Sequence, residues 1–314
     1  MKLSIIVPCK NEEGNVEGIY NKITSALKNI KYEIIYVDDG STDGTLEKLK
    51  SLFNKDMLRV KVLSFSRNFK KEAAMLAGLQ HASGEYTCII DGDLQQNPGY
   101  LADMVDFLNK NKDYDEVAMV MKERKAESGF MAFCKKRFYR IIEKMSDVHF
   151  ENAASDFRMF RRNVKEAVLS LSETNRFSKG IFAWVGFNVK YLPYDVEPRT
   201  SGKSSFNFKN SLAYAIDGIL AFSTKPLSIA FTFGFLCILA FFIYLIVLLV
   251  QLLAFNLAFS TSYLIILLIL LLAGMQFLVI GFIGQYLSKM YTEVKHRPNY
   301  IIKEKIGFND ETIL

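Results

Sequence analysis

Residues 86–95 read Tyr-Thr-Cys-Ile-Ile-Asp-Gly-Asp-Leu-Gln, a short hydrophobic run that ends on two carboxylates. A run of this length that does not alternate polar with apolar is the pattern of a strand buried on both faces. The same pattern recurs upstream. Leu3–Pro8 runs into Pro8-Cys9-Lys10-Asn11-Glu12, and Tyr32–Val37 runs into Asp38-Asp39-Gly40-Ser41-Thr42-Asp43-Gly44. Val60–Phe65 and Val117–Met121 are further strand candidates. Between them lie helical stretches: Glu12–Asn29, with Val16, Ile19, Ile23 and Leu27 on one face, then Gly44–Phe53, Lys71–His81 and Pro98–Asn109. Apolar strands separated by helices predict an α/β fold, a mostly parallel sheet covered on both faces. Such sheets bind ligands at the carboxyl ends of their strands. Those ends carry the polar clusters here.

Past residue 122 the alternation breaks down. A basic stretch (Lys122, Arg124, Lys125, Lys135, Lys136, Arg137, Arg140) enters a predicted helix over 130–145. A short apolar segment at Phe157–Phe160, more helix and a strand near Val189–Leu192 follow. The loop Glu197–Ser205 carries Arg199, Gly202 and Lys203, and Phe206–Phe222 reads as an amphipathic helix lying along a membrane.

From Pro226 to Ser288 there is no Asp, Glu, Lys or Arg. That block is too long for one span of ~20 apolar residues and fits two, near Leu227–Leu253 and Ser262–Leu287. The turn between them is uncharged, while Lys225 precedes the first and Lys289, Lys295, Arg297, Lys303 and Lys305 follow the second. Positive residues stay inside, so both termini are expected in the cytoplasm. The opening run Leu3–Val7 is too short for a signal peptide and is followed at once by Lys10, Glu12 and Glu13. The expected organisation is a cytoplasmic catalytic domain over 1–205, a juxtamembrane helix over 206–226, a transmembrane hairpin over 227–288 and a cytoplasmic tail over 289–314.

Composition narrows the function. Four cysteines (Cys9, Cys88, Cys134, Cys237) show neither metal nor disulfide spacing, as in a reducing compartment. Three dispersed histidines (His81, His149, His296) speak against a His-based zinc site. The net charge of +6 suits a surface of anionic lipid, and no nucleic-acid-binding motif accompanies it. The first loop has neither G-x-G-x-x-G nor a Walker pattern, which argues against a dinucleotide oxidoreductase and a P-loop ATPase.

Asp91-Gly92-Asp93 sets two carboxylates at a strand end where they can converge on one hard cation, with Gln95 adding a carbonyl oxygen. Mg²⁺ or Mn²⁺ favours such oxygens and usually shares them with substrate phosphates. The alternative is a hydrophilic turn, since Asp-Gly is common in turns. Asp38-Asp39 can accept hydrogen bonds from a ribose or a nucleobase, or can serve the turn, for which Ser41-Thr42-Asp43 is good capping sequence.

The ordered set of Val7 to Glu12 (Val-Pro-x-x-Asn-Glu), Val37 to Thr45 (Val-Asp-Asp-Gly-Ser-x-Asp-Gly-Thr) and Asp91 to Gln95 (Asp-x-Asp-Leu-Gln) resembles the inverting family-2 glycosyltransferases of the GT-A fold. With Ser66-Arg67-Asn68-Phe69, Lys71-Glu72 and a C-terminal two-helix anchor, it is similar to the polyprenyl-phosphate glycosyltransferases. That group includes bactoprenol glucosyltransferases and dolichol-phosphate mannose synthases. The resemblance implies that Pro8, Glu12 and Asp38 line the nucleoside pocket with Asp39 nearby. It implies that Asp91, Asp93 and Gln95 hold a divalent cation (Mg²⁺ or Mn²⁺) and the donor diphosphate, and that Asp156 faces the sugar, with Asp93 and Asp156 the catalytic pair. Arg124, Arg137, Arg199 and Lys203 match positions that receive the acceptor phosphate. The implied donor is a UDP-sugar, UDP-glucose first and UDP-N-acetylglucosamine second. The implied acceptor is undecaprenyl or another polyprenyl phosphate, at the inner face of the cell membrane, for cell-envelope glycosylation, and a homo-oligomer is compatible. The chain departs from the pattern at Lys70, Gly92, Asn97 and Gly99, which bears on the donor pocket rather than on the reaction.

A prenyl phosphate is ionised at neutral pH, so its oxygen can attack the sugar C1 without a strong base. One displacement inverts the anomeric centre. Three rival readings fit the sequence less well. A processive polysaccharide synthase resembles a group with a Gln-x-x-Arg-Trp motif, whereas the single tryptophan, Trp184, follows Phe182-Ala183. A nucleotidyltransferase needs a Gly-rich, Arg-containing first loop, absent here. A non-enzymatic flippase or scaffold has no use for the acidic motifs.

Overall fold

The computed structural model describes residues 2–121, 154–174, 176–195, 197, isolated helical positions between 236 and 250, and 261–308. In chain order the elements are β1 (Leu3–Cys9), α1 (Val16–Ala26), β2 (Tyr32–Asp38), α2 (Thr45–Lys55), β3 (Val60–Phe65), α3 (Lys71–His81), β4 (Tyr86–Ile89) and α4 (Tyr100–Lys110). There follow β5 (Glu116–Met121), β6 (Ala154–Arg161), α5 (Arg162–Ser170), α6 (Ser178–Trp184), β7 (Val189–Tyr194), α7 (Thr261–Val294) and β8 (Ile302–Ile306).

The strands form one eight-stranded sheet in the order β7-β5-β6-β4-β1-β2-β3-β8. Strands β4, β1, β2 and β3 are parallel, as their unbroken apolar runs predict. Every residue of β2 is buried. Successive side chains of a strand point to opposite faces, and β1 shows it. Leu3, Ile5 and Val7 pack with α1, α2 and α4, whereas Ile6 packs with α3, α5 and α6 on the other face. Helix α3 lies close on the sheet because it presents Ala73, Ala74, Ala77 and Gly78. A Cβ at Gly78 would collide with the Ile6 side chain.

Two strands depart from the sequence reading. Residues 154–161, expected only as a short apolar segment, form β6, inserted antiparallel between β4 and β5. Residues 302–306, within the stretch expected as a tail, form β8, antiparallel to β3 at the sheet edge. Phe65 pairs with Ile302, so β8 starts at the carboxyl edge of β3. The Tyr300 ring stacks on Phe65 with centroids 5.0 Å apart, and Lys50 pairs with Glu304 at 2.5 Å.

Only seven residues, 295–301, separate α7 from β8. The part of α7 over Leu271–Val294 is long and apolar enough to cross a membrane by length and composition. Its Phe277, Ile280 and Leu287 side chains are exposed, as a lipid-facing helix requires. Of the expected two-helix hairpin, the described residues show one helix of spanning length. Of the first expected span, Leu236, Leu239, Phe242, Ile243, Ile246 and Val250 are helical and exposed, and the rest lies outside the described residues.

Candidate active site

The site forms where the carboxyl ends of β1, β2 and β4 meet the start of β6. Residues after β1 and after β2 interlock. Asn11, in the left-handed region at φ 54, accepts from the Thr42 backbone N–H at 2.8 Å and donates its own N–H to Ser41 Oγ at 2.9 Å. Glu12 N–H donates to Thr45 Oγ1 at 2.9 Å, and its carboxylate accepts from Asn15 Nδ2 at 2.5 Å. Gly40 takes φ 63, and a Cβ there would strike the Arg67 backbone, so the turn after Asp39 requires glycine.

Both oxygens of Asp38 are engaged within the fold, one by the Ser41 N–H at 3.1 Å and the other by Ser64 Oγ at 2.9 Å. Asp39 accepts the Phe69 N–H at 2.6 Å, and burial raises its pKa. The pair therefore carries out the turn chemistry that the sequence allowed as an alternative, while lining the first loop. Pro8 sits beside Val37 at the same end of the sheet.

The acidic motif after β4 is shaped by its neighbours. Asp93 Oδ1 accepts the Gln95 N–H at 3.1 Å, a two-residue Asx turn. Leu94, at φ 62, is buried and anchors the loop against Gly18 of α1. Gln96, 5 % exposed, clamps Asp91: its Oε1 accepts the Asp91 N–H and its Nε2 donates to Asp91 Oδ2, both at 2.9 Å.

Register then brings in Asp156. Ile89 pairs with Arg158 in the antiparallel β4–β6 ladder, and extending that pairing by two residues sets Asp91 opposite Asp156. Between these carboxylates sits the Lys71 ammonium, 2.6 Å from Asp91 Oδ1 and 2.6 Å from Asp156 Oδ2. Burial alone would raise the Asp156 pKa, but the Lys71 ammonium outweighs it and holds the carboxyl at about 2. Burial prevails at Asp91, whose pKa is raised against the pull of Lys71. Burial opposes the charge on Lys71, yet the two carboxylates raise its pKa. Lys179, in the first turn of α6, feels the Asp156 charge but is lowered by burial. Asp156 itself is held in place by β6, whose Arg158 pairs with buried Glu116 at 2.9 Å and lies 4.3 Å over the Phe182 ring.

The structure thus brings together Pro8, Glu12, Asp38, Asp39, Asp91, Asp93, Gln95 and Asp156 at one edge. Arg124, Arg137, Arg199 and Lys203 lie outside the described residues. Glu197, just before the last two, donates its backbone N–H to the Gln95 carbonyl at 3.0 Å. Among the described residues no three His, Cys, Asp or Glu side chains form a preformed metal cage. The donor set at Asp91, Asp93 and Gln95 is nonetheless all oxygen and hard, and the field between Asp91 and Asp156 already attracts one cation. That suits a divalent ion whose remaining ligands come from phosphate. Sequence reasoning missed Gln96 and the bridging role of Lys71. Both are visible only once strands distant in the chain are paired.

An open α/β sheet whose carboxyl edge gathers acidic side chains is the architecture of an enzyme that binds its ligand at the strand ends. The chain belongs to glycosyl transferase family 2, whose model matches residues 4–169, and it is a glycosyltransferase. It is 39% identical over 305 residues to the putative glycosyltransferase CsbB of Bacillus subtilis (strain 168), covering 96% of this chain and 91% of that one. It is 34% identical over 307 residues to the bactoprenol glucosyl transferase of Shigella phage SfV, covering 97% and 99%. Its fold is GT-A-like: the mannosyltransferase PcManGT from Pyrobaculum calidifontis, solved with GDP-Man and Mn²⁺, superposes with TM-score 0.50 at 20% identity, over 70% of this chain and 63% of that one.

Proposed function

We propose that the protein transfers a hexose, glucose in the first instance, from a UDP-sugar to undecaprenyl or another polyprenyl phosphate with inversion at C1. The observation that carries this reading is the meeting of Asp91, Lys71 and Asp156 at the carboxyl end of the sheet, the same end at which the chain enters β8 from α7. A membrane helix that ends at that edge puts a headgroup-level phosphate within reach of a soluble donor. The name of the SfV relative supports the lipid acceptor and the glucose.

In this reading Pro8, Glu12, Asp38 and Asp39 frame the nucleoside, while Asp91, Asp93 and Gln95 hold a Mg²⁺ or Mn²⁺ ion with the diphosphate. The ion, when bound, offsets charge growing on the leaving diphosphate. Asp156, kept ionised by Lys71, stabilises positive character at the sugar carbon. Arg124, Arg137, Arg199 and Lys203 receive the acceptor phosphate, whose own charge makes a general base unnecessary. We place the protein in the cytoplasmic membrane as a two-span hairpin, with the catalytic domain and both termini inside.

The test is direct. The bilayer-embedded protein is incubated with undecaprenyl phosphate and a panel of labelled nucleotide sugars, with and without EDTA. Labelled lipid from UDP-glucose alone is the expected result. Label from UDP-N-acetylglucosamine would change the sugar, and no labelled lipid from any donor would reject the acceptor.

A further inference from the structure

The end of α7 is joined to the site by contacts for which the transfer reaction above has no use. Glu293, in the last turn of α7, grips Thr174: its carboxylate accepts the Thr174 N–H at 2.9 Å and the Thr174 hydroxyl at 3.0 Å. Asn299, just beyond α7, donates to the Glu173 carbonyl at 3.4 Å. Arg176 closes this segment on itself, donating to the carbonyls of Leu171 at 2.7 Å and Val168 at 3.1 Å. The far end of the segment is gripped by a second carboxylate. Both oxygens of Glu72 lie 3.2 Å from the Ser178 N–H they accept, and the Ser178 hydroxyl also donates to Glu72. Glu72 neighbours Lys71 in the first turn of α3, and Lys71 holds Asp91 and Asp156.

Hydrogen bonds to a carboxylate are short and about twice as strong as neutral ones. Two such grips hold Thr174 and Ser178, the second at the start of α6.

We propose that Glu293 is a positioning residue for the site: through Thr174, Ser178 and Glu72 it sets where Lys71 holds Asp91 and Asp156. The seating of the membrane helix thereby governs the rate of transfer. This rests on the glycosyl-transfer reading and adds to it a dependence on α7. Lipid packing around α7 then acts on kcat without touching the nucleotide pocket.

A contiguous path is not itself coupling; coupling is shown when two removals fail to add. Glu293→Ala should lower kcat about 10-fold, the scale of such couplings, and leave KM for the nucleotide sugar within about twofold. Glu293→Gln keeps an acceptor for Thr174 and should stay within about threefold of the parent kcat. In a Glu72→Ala background, Glu293→Ala should change nothing further. Amide hydrogen exchange on the full chain in bilayers should quicken over residues 174–182 in Glu293→Ala. Full kcat in Glu293→Ala, strictly additive losses, or unchanged exchange would each overturn the proposal. If the parent chain transfers no sugar to any polyprenyl phosphate, the glycosyl-transfer reading fails instead, and the exchange measurement alone decides whether Glu293 holds the segment.

Discussion

Lys71 reconciles two carboxylates that would otherwise repel. The shared ammonium keeps Asp156 ionised, whereas at Asp91 burial still outweighs its pull. Asp93, two residues further along the loop, accepts the Gln95 N–H within its own turn. Asp93→Asn keeps the turn and removes the charge. We expect turnover to fall by at least ~100-fold, the scale on which a main electrostatic stabiliser acts. Near-normal turnover in this variant, or full activity in excess EDTA, would take the cation out of the reaction. At this scale the acidic motif was legible because its carboxylates lie two residues apart in the chain. Gln96 and Glu72 were not, since the first reads as one more polar loop residue and the second acts on a partner 106 positions away.

At the scale of elements, hydrophobic runs announced the four parallel strands, and α3 matches its expected range of Lys71–His81. Strand β6 hid because Ser155, Asp156, Arg158 and Arg161 interrupt its apolar residues. The buried charge of Arg158 is tolerable only because Glu116 of β5 pairs with it, and no local pattern reveals that partner. Removing one member of a buried pair strands the other, at a cost of about 3–5 kcal/mol. Glu116→Ala should therefore lower the melting temperature sharply and loosen the mooring of Asp156. A melting curve matching the parent's would show that the pair contributes nothing. Strand β2 carries a second buried charge. Glu33 accepts from Ser4 Oγ, Ser83 N–H and Ser83 Oγ and pairs with Lys61 at 2.7 Å. Burial opposes its ionisation, but these partners prevail and lower its pKa below 4.5. A depressed carboxyl stabilises the fold fully above its unfolded pKa and loses that contribution as pH falls through the folded value. The gap in melting temperature between the parent and Glu33→Gln should thus be widest at neutral pH and shrink below pH 4.5. A gap that widens on acidification would reverse the assignment.

For the whole molecule the question is how a lipid phosphate meets a soluble donor. The sheet supplies part of the proposed answer: β8 pairs with β3 so that the chain arrives from α7 at the carboxyl edge, four strands from β4 and its acidic motif. The uncharged block made a membrane segment legible, but the return of 302–306 to the sheet was not, because its polar, exposed alternation reads as tail. In the proposed function the rest falls to Arg124, Arg137, Arg199 and Lys203, which lie outside the described residues. Glu197 is fixed to the Gln95 carbonyl at 3.0 Å and to Lys22 at 2.7 Å, so the chain sets out toward Arg199 and Lys203 from the acidic loop itself. A phosphate tethered by a buried chain stays at headgroup level, and a planar guanidinium can meet it with two hydrogen bonds at once. Arg199→Ala should therefore raise the apparent KM for the prenyl phosphate and leave UDP affinity almost unchanged. A loss of ~1.5–3 kcal/mol is the scale of a hydrogen bond to a charged group. Acceptor kinetics and UDP calorimetry on one preparation read the two sides separately. Should UDP affinity collapse while use of the acceptor holds, Arg199 serves the donor, and the lipid phosphate must be met from Arg124, Arg137 or Lys203 instead.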